Sequence, residues 1–328
     1  MTMTRRGLGL GALALGAASA VPFAARAETF NIRMVNQNRS GLRGGAFAIP
    51  AYHVNFVTSQ QATSVASITA RTRLALVMEG PDQALMRRLT NEAHADLRTQ
   101  MEAAGLSLVS IADTRAMVQA SGMELQPDNV EIAGIGPSIT IGSSLKRGWA
   151  SFGADDAPML TALKNMRGGN LAQIGAIHAL SPLNRQPQLT GNVAIAPSLV
   201  LDFARMDARR PGLFGNTASV DGNVAFGVLM DSRVATQKPA NMGVGTPGGF
   251  NVRESVWSPT PFATVVQGGA AVRAGPSFSD HIDDSYRAIQ RARGDAVMID
   301  VPVWEGLVRD AFRSYNAAIV QTVRSAQG

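Results

Sequence analysis

The sequence predicts an α+β fold: a mixed, mainly antiparallel sheet with packed helices. Three stretches carry that expectation. Residues 80–111, GPDQALMRRLTNEAHADLRTQMEAAGLSLVSI, read as a helix running straight into a strand. Residues 193–203, VAIAPSLVLDF, are apolar at nearly every position, as in a strand covered on both faces. Near the C-terminus, Trp304, Leu307, Val308, Ala311, Phe312, Tyr315, Ile319 and Val323 form one stripe at helical spacing behind Pro302, which predicts a helix over 303–324.

In chain order, residues 1–27 stand apart from the fold. Arg5 and Arg6 precede an apolar run rich in glycine and alanine, and Ala25-Arg26-Ala27 ends the segment as a small-x-small cleavage site. This is a signal peptide, cut after Ala27. Thr4-Arg5-Arg6-Gly7-Leu8 resembles a twin-arginine export signal, with Gly9 where that pattern has a large apolar residue; the general export route is the alternative. Residues 28–46 are polar and glycine-rich and read as a loose arm. Residues 47–328 read as a single α+β domain, with a division into two subdomains near residue 190 as the alternative.

Within that domain, Ala48–Thr58 alternates with Tyr52, Val54 and Phe56 on one face, so it reads as a strand. Ser59–Ser67 is a polar turn, and Ile68–Met78 is a second strand, antiparallel to the first because the link is short. The helix over 82–104 has Leu85, Met86, Leu89, Ala93, Leu97, Met101 and Ala104 on its apolar stripe. Pro81 and Asp82 start it, and Gly105 stops it by taking the left-handed turn. A strand from Leu106 and a short helix over 113–120 follow. Val130–Ile141 is a glycine-broken strand, Gly142–Asp156 is loop-like, and Pro158–Met166 and Leu171–Leu180 are helical patches. Pro182–Gln188 is a loop. After the apolar strand at 193–203, Arg209-Arg210-Pro211-Gly212 marks a hairpin turn. Val220–Val234 alternates with Val224, Phe226, Val228 and Met230 on one face. Two short strands within 250–267, a helix over 279–291 and a strand over 296–301 complete the order.

Composition narrows the function. The sequence holds 30 basic and 24 acidic residues; the leader takes three arginines and no acid with it, leaving 27 against 24, which is no nucleic-acid footprint. With no cysteine, disulfides, thiolate metal sites, a cysteine nucleophile and a lipid-bearing N-terminal cysteine are all excluded. No segment after the leader reaches the roughly 18 uninterrupted apolar residues of a membrane helix.

The catalytic templates fail one by one. Gly243-Val244-Gly245-Thr246-Pro247-Gly248 matches G-x-G-x-x-G, but a Lys238-Pro239 loop precedes it and the strand-like Phe250-Asn251-Val252 follows, where a dinucleotide site needs a strand and then a helix. Ser143–Lys146 spells S-x-x-K and Ser314–Asn316 S-x-N, without the K-T-G that completes that set. His53, His94, His178 and His281 show no zinc spacing, and His94 reads as a boundary residue of its helix. The best cluster of ligand-type atoms is Asp280, His281, Asp283 and Asp284. Its plainer reading is a capped helix start with acids opposing the dipole. Asp155-Asp156 reads as a solvated loop. Arg209 and Arg210, at a hairpin tip, are candidates for contacting an acidic partner or lipid headgroups, with a solvated turn as the plain reading.

The run of Ala93, Leu97, Gly105 and Val109, followed much later by the strand from Val193 to Phe203, resembles the periplasmic CsgG/LpoB-like domains. That resemblance implies an envelope protein that assembles secretion complexes or activates cell-wall synthases. The chain lacks the group's lipid-modified cysteine, so the likeness does not extend to a lipid anchor, and no functional residue is carried over.

The expected function is therefore an exported periplasmic binding or envelope-assembly accessory, without catalytic activity or cofactor, whose partner is an envelope protein or a cell-wall component. The alternatives are a periplasmic hydrolase or metal-dependent enzyme built on Asp280–Asp284, and a small-ligand carrier. Cleavage after Ala27 makes a direct prediction. Intact-mass analysis of the protein recovered from the envelope should give a chain that begins at Glu28, and a retained leader would overturn it.

Overall fold

The computed structural model describes residues 29–36, 39–65, 71–135, 142–163, 179–209, 219–239, 246–267 and 295–328. The leader, the helical patch over 171–178 and the expected helix over 279–291 lie outside these residues, as do Asp280, His281, Asp283, Asp284 and Arg210.

The fold is α+β, as expected. Its strands in chain order are β1 (Met34–Asn36), β2 (Ala46–Ala48), β3 (His53–Val65), β4 (Arg71–Glu79), β5 (Ser107–Leu108), β6 (Asn129–Ile135), β7 (Gly142–Gly153), β8 (Val193–Arg209), β9 (Ser219–Val228), β10 (Arg233–Lys238), β11 (Thr246–Val252), β12 (Val256–Trp257), β13 (Ala263–Val266) and β14 (Asp295–Ile299). The helices among the described residues are α1 (Gln83–Ala103), α2 (Ile111–Ala120) and α3 (Val301–Gln327). The backbone of the sheet runs β1-β11-β10-β8-β3-β4-β14-β13, with β7 and β6 branching from β3, and β9 and β12 from β8. Most pairs are antiparallel; β3/β8, β2/β8, β2/β5 and β4/β14 are parallel.

α1 forms where the stripe predicts it. Asp82 accepts from Leu85 N at 2.7 Å, and Gly105 closes the helix at φ +76°. The buried residues of α1 are Met86, Leu89, Thr90, Ala93, His94, Leu97 and Met101; α3 buries Trp304, Leu307, Phe312, Tyr315 and Ile319. Both helices cover the face of β3 and β7 that carries Val54, Phe56 and Phe152. Phe56 sits between Phe152 and Trp304, with ring centroids 6.1 and 5.7 Å away. One polar group is sealed between the helices. Asn316 on α3 accepts from the Tyr52 hydroxyl at 2.8 Å and donates to Ala93 O at 2.9 Å and Asp96 Oδ2 at 2.8 Å, so every partner is satisfied.

Several elements differ from the sequence reading. Within the expected turn Ser59–Ser67, the described residues 59–65 are strand: β3 continues to Val65, and Ser59 through Ser64 are buried between β7 and β4. Gly142–Asp156 is not a loop: residues 142–153 form β7, paired along its length with β3 and β6. In both cases sheet partners on two edges override weak local β-propensity. The strand from Leu106 shrinks to Ser107–Leu108, Pro182–Gln188 lies in short 3₁₀ turns, and the described part of Pro158–Met166 holds only a 3₁₀ turn at 161–163. Residues 250–267 give three strand pieces, and Met230 is 54% exposed in the turn before β10. The expected arm is anchored: β1 pairs with β11, Phe30 and Leu42 are buried, and Phe30 N donates to Ser314 Oγ at 3.2 Å. β8, which begins just past residue 190, pairs with strands from both sides of that position.

Three long hairpins share one direction. β3 and β8 are parallel, β7 is antiparallel to β3, and β4, β6 and β9 each return along the strand they turn from. The strand ends Val65, Ile135 and Arg209 therefore lie at the same end of the sheet.

Asn316→Ala should destabilise the protein by about 3 kcal/mol, because it strands the Tyr52 hydroxyl and Ala93 O in the core. Urea unfolding reads this directly, and a loss under about 1 kcal/mol would show that the polar bridge carries no weight.

Candidate functional site

The face of the sheet opposite Phe56 is polar in its centre. Cross-strand register puts Arg233 (β10), Ser198 (β8) and His53 (β3) in one row, and Asn55 and Ser151 in the next. One part of this band is fully paired. Asn55 Nδ2 donates to Ser198 Oγ at 2.9 Å and Leu199 O at 3.1 Å, and accepts at Oδ1 from Ser151 Oγ at 2.7 Å. His53 Nε2 accepts from Leu160 N at 3.3 Å. These contacts fix strands to each other.

The other part sits where β3 and β8 separate. They pair from His53↔Ser198 to Phe56↔Leu201; β3 then shifts register after Val57 and takes β4 as its neighbour, while β8 kinks between Asp202 and Ala204 and continues with β9 alone. The kink frees backbone groups from the ladder, and two side chains replace the lost partners. Asp202 Oδ1 accepts from Phe203 N at 2.8 Å and Ala204 N at 3.3 Å, and Gln60 Nε2 donates to both Asp202 Oδ1 and Ala204 O. Arg147, cross-strand from Gln60, places Nε 3.4 Å from Asp202 Oδ2 and Nη1 3.8 Å from Asp231 Oδ2.

The hydrogen bonding around the kink is incomplete. The Asp202 side chain is fully buried, and burial pushes its pKa up to about 6 against the opposing pull of Arg147. Burial raises Asp231 as well and lowers Arg233. Trp149 Nε1, Arg147 Nε, Gln60 Oε1, Asp202 Oδ2 and both Nε and Nη1 of Arg233 have no hydrogen-bond partner. This density of unpaired polar atoms is unusual for a native interior. Chemically the corner offers unpaired donors on Arg147, Trp149 and Arg233 and unpaired acceptors on Gln60 and Asp202. It presents no nucleophile–base pair, and among the described residues no group of three His, Asp or Glu is placed to hold a metal.

The sequence candidates lie elsewhere. Arg209 ends β8, and Arg210 and Asp280, His281, Asp283 and Asp284 are outside the described residues. The glycine run enters β11, a strand, at Thr246. Ser143 and Lys146 both lie on β7, a strand. Ser314 holds Phe30 N, and Asn316 is core. Asp155 and Asp156 are exposed yet paired, with Arg87 and Arg115. His94 is buried rather than at a boundary, 6.0 Å from the Tyr52 ring centroid, and burial with Arg98 nearby lowers its pKa to about 4. Asp202 had one signal in the sequence: a lone acid inside an apolar run that reads as covered on both faces. No protein family, curated protein or solved structure matches the chain.

Two buried groups work against each other in acid. Asp202 binds its proton more tightly folded than unfolded, so its contribution, on the order of 3 kcal/mol, is present at pH about 4 and is lost as pH rises through about 6. His94 is held neutral, so its contribution of similar order is present above pH about 6.5 and lost as pH falls towards about 4. Unfolding free energies measured from pH 7 to 4 should therefore fall more steeply on acidification in Asp202→Asn than in the wild type, and less steeply in His94→Gln. Parallel curves would refute the assignment.

Proposed function

We propose that this chain is an exported, non-catalytic binding or assembly accessory of the bacterial envelope, acting on an envelope protein or a cell-wall component. The observation that supports the reading is the common direction of the three hairpins β3–β4, β6–β7 and β8–β9. A helix-backed sheet holds these strands, and Val65, Ile135 and Arg209 end them at one end of the sheet, as in a protein that presents several contact points to one large partner. Export rests on the leader-like residues 1–27. No described helix is long and apolar enough to cross a membrane. A small-ligand carrier is the second reading, favoured by the unpaired donors beside Asp202. A hydrolase or metal-dependent enzyme on Asp280–Asp284 remains the sequence-based alternative.

The test is in-cell crosslinking of tagged full-length protein followed by isolation from the envelope. Replacing residues 211–216, which join β8 to β9, with Asn-Gly should remove a reproducible partner while leaving the melting temperature within about 2 °C of the wild type. Recovery of the protein alone, or an unchanged partner after the exchange, would refute the proposal.

A further inference from the structure

We propose that the corner formed by Arg147, Asp231 and Arg233 binds a small oxyanion, a phosphate or a carboxylate. Arg233 is 9% exposed, and two of its guanidinium nitrogens, Nε and Nη1, are buried without an acceptor. Asp231 couples to Arg233 electrostatically but forms no ion pair with it, and lies 3.8 Å from Arg147 Nη1. The other nearby acid, Asp202, is committed at Oδ1 to Gln60 and to the backbone amides of the β8 kink. Asp202 Oδ2 and Asp231 both face Arg147, so the two carboxylates match the two guanidiniums in number, and it is the unpaired Nε and Nη1 of Arg233 that call for an added acceptor.

An ordered water would satisfy one or two donors, but neither carboxylate forms an ion pair with Arg233, and a buried guanidinium is stabilised by a charge in direct contact as well as by hydrogen bonds. Arginine donors suit phosphate and carboxylate oxygens, which accept several hydrogen bonds at once. The Arg147 and Asp231 side chains are 15% and 23% exposed, so the corner reaches solvent beside the more deeply buried Arg233. The residues belong to β7, the turn before β10, and β10 itself, all held by the sheet, so the donors are positioned before any ligand arrives.

The experiment is thermal denaturation of the purified protein at pH 7.5 in sodium phosphate and in sodium acetate, each compared with sodium chloride at matched ionic strength. A rise of about 2 °C above the chloride control is expected at ten times the dissociation constant. A rise in phosphate alone identifies the phosphate source, and a rise in acetate the carboxylate source. Arg233→Gln should abolish the rise, whereas Arg205→Gln, at an exposed position on β8, should keep it. No rise over chloride with either anion, or the same rise in Arg233→Gln, overturns the proposal. Should Arg233→Gln fail to fold, the ³¹P line of phosphate and the ¹H line of acetate are titrated with wild-type protein; broadening of one supports the site, and two sharp lines overturn it.

Discussion

The parting of β3 and β8 governs the architecture. Two strands that pair side by side must separate, and every ladder bond lost at the separation exposes a backbone group that the interior cannot leave bare. The chain answers with Asp202 and Gln60, whose side chains stand in for the missing strand. From that junction each strand gains a new neighbour: β4 joins β3, and β9 continues with β8. The β8–β9 ribbon then lies over the other arm closely enough that a Cβ on Gly222 would come within 2.6 Å of Leu74. The divergence is what allows hairpins from three separate parts of the sequence to share one end.

The two faces of the sheet are held by different physics. Behind Phe56 the stabilisation is burial: Trp304, Tyr315 and Met86 are among the largest fully buried side chains, and such groups contribute about 1.5–3 kcal/mol each when removed from water. On the surface between α1 and α3, Arg309 reaches Glu92 at 2.8 Å and Glu305 at 2.6 Å, but exposed pairs of this kind add little beyond alignment. The opposite face depends on hydrogen bonds that must be complete to be worth having. The Asn55–Ser198–Ser151 group meets that demand and the arginine corner does not.

Helices were legible in the sequence because a helix announces itself locally. The spacing of Met86, Leu89, Ala93, Leu97 and Met101, with Asp82 before and Gly105 after, requires no knowledge of the partner surface. The covered strand at 193–203 was legible for the same reason. β7 was not, since Gly142, Ser143, Ser144 and Gly148 carry no period, and their extended form is imposed by β3 and β6 on either side. Nor was the polar half of β3, where Ser59–Ser64 look like a turn until two neighbouring strands enclose them. The candidate site was the least legible part. Arg147, Asp202, Asp231 and Arg233 are spread over almost ninety positions and meet only through parallel pairing and a kink, neither of which leaves a fixed spacing.

The fold also ties its beginning to its end. Phe30 N bonds to Ser314 across 284 positions, and Arg43 Nε reaches Ala326 O at 3.1 Å across 283. Gln327 returns the contact to Leu42 O at 3.3 Å. Synthesis proceeds from the N-terminus, so the segment around Phe30 emerges long before the helix that secures it. The early strands meet the same delay, because β4 takes its parallel neighbour β14 only from the last fifth of the chain. Closure of so long a loop carries a larger entropic cost than any local pairing. Docking of α3 is thus a late step of assembly, and a chain that lacks Ala326 and Gln327 loses the clasp on Leu42 and Arg43.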